Sequence, residues 1–151
     1  MMVSLIEDPV MKQRLGFQPA DDGAAVLVEM WVEPGGGVPP HAHPSMEERF
    51  EVISGELSFL SGRKWQTAAA GETVVVPAGT RHAYRNSGVG PAHGICRASP
   101  PQSLQEFLEE AAAMARDGKL TRQGLPKSPG ALVQALRLAL RHRKMVVMRW
   151  V

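Results

Sequence analysis

Between residues 24 and 100 the chain alternates apolar and polar positions in short runs. In residues 24–33, AAVLVEMWVE, the set Val26, Val28, Met30 and Val32 alternates with Leu27, Glu29, Trp31 and Glu33. A period of two predicts a strand with the first set turned to the core. Pro34-Gly35-Gly36-Gly37 and Pro39-Pro40 interrupt it. Residues 48–60 predict a hairpin turned at Ser54-Gly55-Glu56, where glycine takes positive φ without strain. Residues 72–76 predict a strand closed by Pro77-Ala78-Gly79-Thr80, and residues 81–86 and 92–98 predict two more. Short strands at this spacing predict an all-β sandwich or barrel.

The period changes beyond Ser99-Pro100-Pro101. Leu104, Phe107, Leu108, Ala111 and Ala115 share a helical face, with Glu106, Glu109 and Glu110 off it. Ser103 with Glu106 fits a capping box, and Gly118 fits a stop. A second helix, roughly 131–143, sets Leu132, Ala135, Leu136 and Ala139 on one face and Arg137 and Arg141 off it. The final MVVMRWV suits helix or strand, and the first twenty residues carry little pattern of their own. The expected organisation is a β-domain over 1–100 and a helical extension over 101–151, packed on the barrel or on a partner subunit.

Composition narrows the class. A chain of 151 residues and 16.4 kDa supports one core. One cysteine, Cys96, excludes an internal disulfide framework and any multi-cysteine zinc site. No apolar run reaches about 18 residues, so no transmembrane helix is expected. Glu7, Asp8 and Pro9 stand where a signal peptide needs an apolar stretch, which suggests a cytoplasmic protein. All fifteen acidic residues lie at or before Asp117 with nine of the seventeen Lys and Arg, a balance of −6. Residues 118–151 hold the other eight basic residues and no acid, a balance of +8. That split suits an anionic partner, and equally an acidic surface of the same chain or its twin. Nucleic acid is not expected, because the loop between the two tail helices is too long for a helix-turn-helix.

His41 and His43 stand two apart, so an extended strand turns both imidazoles to one face. Glu48 opens the next strand, with Phe50 and Val52 on its face. His82 follows the Pro77–Gly79 turn, with Tyr84 and Asn86 on its face. If the two strand pairs fold together, three imidazoles and a carboxylate converge, a set that Fe(II), Mn(II), Ni(II), Cu(II) or Zn(II) accepts. His-x-His alone fits a metal pair and a solvated pair equally well.

From Gly35 to Gly55 the chain reads G-x5-H-x-H-x4-E-x6-G, and from Gly71 to Asn86 it reads G-x5-P-x-G-x2-H-x3-N. Fifteen residues, Glu56 to Ala70, separate the two. These runs resemble the two signature motifs of the cupin superfamily, in the spacing of its compact microbial single-domain members. The resemblance covers roughly residues 22–100, about half the chain. It implies a double-stranded β-helix, a jelly-roll barrel, with one divalent transition metal ion per chain held by His41, His43, Glu48 and His82. Glu47 is the competing carboxylate, but only Glu48 gives the six-residue interval to Gly55. Asn86 is expected to be a structural hydrogen-bonding residue.

Met30, Phe50, Val52 and Tyr84 are candidates for a substrate pocket, with core filling as the competing role. Glu48 and Tyr84 are the candidate catalytic groups. His93 is expected on a strand surface and Cys96 as a small buried residue. The expected function is a metalloenzyme acting on a small organic substrate, of oxygenase or isomerase type. A non-catalytic binding or sensor module is the alternative. Trp31, turned outward, and the unpatterned N-terminus suggest a homodimer. Removing the tail is expected to cost stability and leave a metal in place.

Overall fold

A computed structural model describes residues 5–149. The chain order is β1 (Leu5–Asp8), β2 (Gln13–Ala20), β3 (Ala25–Val32), β4 (Gly37–Ala42), β5 (Glu47–Ser54), β6 (Glu56–Ser61), β7 (Lys64–Ala69), β8 (Thr73–Val76), β9 (His82–Arg85), β10 (Ala92–Ser99), α1 (Leu104–Arg116), α2 (Pro129–Arg141) and β11 (Val147–Met148). The strands form a six-stranded sheet, β1-β2-β3-β10-β5-β8, and a five-stranded sheet, β11-β4-β9-β6-β7. This is a jelly-roll barrel with two C-terminal helices. Val28, Met30, Val32, Phe50 and Val52 from one sheet meet Leu57, Phe59 and Tyr84 from the other in one core. Among the described residues no helix is long and apolar enough to cross a membrane.

The alternation on β3 falls as expected, with Val26, Val28, Met30 and Val32 buried. The expected hairpin at Ser54-Gly55-Glu56 does not form. β5 pairs with β10 and β8, whereas β6 pairs with β7 and β9. Gly55 (φ +74°) is the corner where the chain leaves one sheet for the other, and a Cβ there would lie 2.6 Å from the Pro91 carbonyl oxygen. The hairpin is instead β6–β7, closed at Ser61 and Lys64. β1 and β2 pair with each other, and β2 continues onto β3, so the N-terminal segment finds its partners within the chain.

α1 buries Leu104, Ala112, Met114 and Ala115 and sets Phe107 and Leu108 against the core. The capping box does not form, because the Ser103 hydroxyl meets Nδ1 of His142 at 2.7 Å instead. α2 is capped by Ser128, whose hydroxyl accepts from the Ala131 N–H at 3.0 Å. Its buried residues are Ala131 and Leu138, and the expected apolar face is turned away from the barrel of its own chain: Leu132 is 49% and Leu136 54% exposed. The pairing of Arg141 with Glu110 and of His142 with Ser103 explains this orientation, since both turn the opposite side of α2 toward α1. The chain then returns to the barrel, and β11 pairs with β4. Trp31, half-buried, stacks on His93 at 4.9 Å and carries the Arg14 guanidinium at 5.7 Å.

Candidate metal centre

Three strands and one turn present the polar cluster. In the β4–β9 register His41 lies opposite His82, with ring centroids 4.2 Å apart. The ladder is irregular between Val38 and His41, where Pro39 and Pro40 have no N–H to donate. His43 follows β4, and its carbonyl accepts from the Gly79 N–H at 2.8 Å, which joins the two motif loops. Glu48 comes from β5 in the opposite sheet. Ligand atoms of His41, His43, Glu48 and His82 all lie within 4.8 Å of one another.

Each imidazole is oriented by a backbone carbonyl. Nδ1 of His41 bonds Pro39 O at 2.8 Å, Nδ1 of His43 bonds Met145 O at 2.9 Å, and Nδ1 of His82 bonds Thr80 O at 2.8 Å. A carbonyl only accepts, so each Nδ1 carries a proton, and Nε2 is the ring atom left to face the cluster. Those Nε2 atoms gather around Glu48. Glu48 Oε1 and His82 Nε2 share a proton in a hydrogen bond of 2.6 Å, whereas His43 Nε2, 3.3 Å from the same oxygen, is buried without a hydrogen-bond partner. Burial with the neighbouring His82 and His43 pulls the His41 pKa down to about 4. Burial acts to lower His43 too, but the Glu48 carboxylate outweighs it by charge and holds His43 above its ordinary value, although the contact misses hydrogen-bond alignment. Burial would raise Glu48, yet the contacts to His43 and His82 hold it well below the usual carboxylate range. With the proton between His82 and Glu48 displaced, three Nε2 lone pairs and an ionised carboxylate suit a divalent transition cation. The buried Nε2 of His43, left without a hydrogen-bond partner, is a donor atom that a cation would take up.

The cluster opens into a cavity of about 160 Å³. Met30, Phe50 and Tyr84 stand in its wall. Val52 does not: it is 1% exposed and lies in the core, one same-face step beyond Phe50. The Tyr84 hydroxyl donates to Gln13 Oε1 at 2.5 Å, and burial raises its pKa. Glu47 is exposed while Glu48 is buried. His93 pairs with Glu29 at 2.7 Å, away from the cluster. Asn86 donates to the carbonyls of Val32 and Gly90, each at 2.9 Å.

Several further side chains line the cavity. Gln13 sits in the N-terminal stretch that shows no pattern. Cys96 is buried, as expected, but its Sγ also lies 3.5 Å from Glu48 Oε2, and burial then Glu48 raise its pKa well above the ordinary value. Leu104, Phe107 and Leu108 of α1 and Val146 and Met148 of the tail also line the cavity. Only the apolar face of α1 signalled that it would cover something.

The family model for the cupin domain matches residues 28–96. Germin-like protein 5-1 of Oryza sativa subsp. japonica is 35% identical over 98 residues, covering 59% of this chain and 44% of that protein. The chain spans less than half the length of the curated relatives it matches. Among solved structures, KdgF from Halomonas sp. superposes with a TM-score of 0.61 at 16% identity, over 68% of this chain and 90% of KdgF. An RmlC-like cupin from Shewanella frigidimarina gives 0.60 at 18% identity, over 69% of this chain and 89% of its own. These likenesses establish the fold.

Proposed function

We propose, from the premise that this chain belongs to the cupin superfamily, that it is a metal-dependent enzyme acting on a small organic molecule by oxygenation or isomerisation. The observation that carries the reading is the triple Nδ1–carbonyl arrangement, which aims three lone pairs and Glu48 at one point. His41, His43, Glu48 and His82 would hold the ion, and four protein donors leave room on a six-coordinate cation. A bound ion supplies Lewis-acid or redox chemistry there. Glu48 would supply the negative charge that balances the ion, with its Oε2 accepting from the Cys96 S–H at 3.5 Å. Met30, Phe50, Leu104 and Phe107 keep water scarce in the cavity and favour a substrate with an apolar part. Tyr84, held by Gln13, keeps its oxygen lone pairs for orienting a donor group.

Metal analysis of protein purified without added metal is the first test, with about one divalent transition ion per chain expected. Forms reconstituted with Fe(II), Mn(II), Ni(II) and Zn(II) are then screened against diols, catechols, keto acids and sugars, following oxygen uptake and product. Turnover by one form supports the enzyme. Ligand binding without turnover in every form would assign the non-catalytic module instead.

We also propose a homodimer. The two features that suggested it are satisfied within the chain, Trp31 by Arg14 and His93 and the N-terminus by the β1–β2–β3 ladder. The outward row of α2 now carries the proposal, with a second copy as occupant. The basic tail of one copy complements the acidic residues that precede Asp117 in the other.

A further inference from the structure

Two of the three imidazoles are oriented by their own turns. His41 and His82 each bond a carbonyl two residues upstream, Pro39 and Thr80. His43 instead reaches Met145, 102 positions away in the chain. The motif loops therefore carry the carbonyls that Nδ1 of His41 and of His82 bond, and lack the one that Nδ1 of His43 bonds.

The Met145 carbonyl is itself held from several sides. The Met145 and Val146 N–H groups donate to His142 O at 2.9 and 3.0 Å, closing a turn after α2. The His142 side chain is 5% exposed, is bound to Ser103 at the start of α1, and meets the Phe107 ring edge-on at 5.5 Å. On the other side Val147 pairs with Ala42 and Met148 with His41. The Arg149 N–H donates to Pro40 O at 3.0 Å, and Arg81 Nε donates to Arg149 O at 2.8 Å. Val146 and Met148 also stand in the cavity wall.

We infer that residues 145–149 form a working part of the metal centre, with the Met145 carbonyl fixing the tautomer and direction of His43 and with His142 and Ser103 as positioning residues behind it. The inference rests on the proposed metal reading and adds to it a positioning segment outside the signature motifs. It also reverses the expectation that the tail can be lost with metal binding intact. Without that carbonyl, Nδ1 of His43 loses its acceptor. The ring can then turn, or carry its proton on Nε2, where the lone pair is needed.

The test compares the full chain with a deletion of 145–151 and with His142→Phe, which keeps a ring against Phe107 and loses the bond to Ser103. Circular dichroism reports folding, chelator competition reports zinc and nickel affinity, and proton NMR of ¹⁵N-histidine-labelled protein reports the three Nδ1–H groups. The deletion is expected to weaken metal binding by about 10–100-fold. It should abolish the His43 Nδ1–H signal and leave those of His41 and His82. His142→Phe should shift the His43 signal alone and weaken binding by at least about threefold; it decides the matter if the deletion does not fold. Unchanged affinity in both variants, or three Nδ1–H signals that stay or vanish together, would overturn the inference. A full chain that takes up no metal counts against the metal reading alone, because the His43 signal can be followed in metal-free protein.

Discussion

Glu47 and Glu48 are neighbours in the chain and opposites in environment. One is exposed, and the other is 5% exposed with His43 and His82 at its oxygen. Glu48→Gln removes the charge that balances a divalent ion and should lower metal affinity by about 100-fold or more, whereas Glu47→Gln should leave it unchanged. Calorimetric titration with zinc or nickel checks both, and the opposite ranking would move the site to Glu47. Tyr84→Phe deletes the O–H that serves Gln13 Oε1, leaving a buried acceptor without its donor. It should cost about 1–3 kcal/mol of stability, measured by urea unfolding. Residue spacing distinguished Glu48 from Glu47 because the interval to Gly55 is a count. It could not separate Phe50 from Val52, since alternation reports which face a side chain takes and not how deep it lies. Gln13 gave no signal: it is a buried polar residue in a strand whose neighbours show little alternation.

Strands were legible in the sequence, and their partners were not. A period of two marked β3, β5 and β8, but it is a property of one strand and holds no information on which sheet that strand joins. The run 48–60 therefore read as a hairpin when it is a corner. β7 went unseen because only Ala68 of its six residues is buried. α2 shows the converse, an apolar stripe that is real and points away from the core. The Gly55 corner can be tested against a looser turn. Gly55→Ala meets the Pro91 carbonyl at positive φ and should cost about 2–4 kcal/mol. Gly71→Ala, at φ +89° with nothing within 4 Å, suffers only the conformational cost, about 1 kcal/mol. Thermal melts of both variants give the comparison, and equal losses would remove the crowding at Gly55 as its cause.

At the scale of the molecule, the exposed residues of α2 form a row. Leu132, Val133, Leu136 and Leu140 are 48–61% exposed on one side of a 13-residue helix. A contiguous apolar surface of this kind calls for a partner. Light scattering at micromolar concentration should give the mass of two chains. Leu136→Asp should give the mass of one, with metal content unchanged because the residue lies outside the cavity wall. A single-chain mass for the unmodified protein would overturn the dimer. The charge split was visible from sequence alone, but the direction of the leucines was not, because it depends on how Arg141 and His142 attach α2 to α1.

Glu48 hangs from one layer of the barrel, and His41 and His82 from the other. An ion held by all of them would tie the layers together at the cavity end. Opening the barrel there then requires a coordinate bond to break before either ladder can part. Such a clasp acts on the lifetime of the native state as well as on its equilibrium stability. Metal-loaded protein should outlast the metal-free form under protease or denaturant, and a chelator should set the pace of its unfolding.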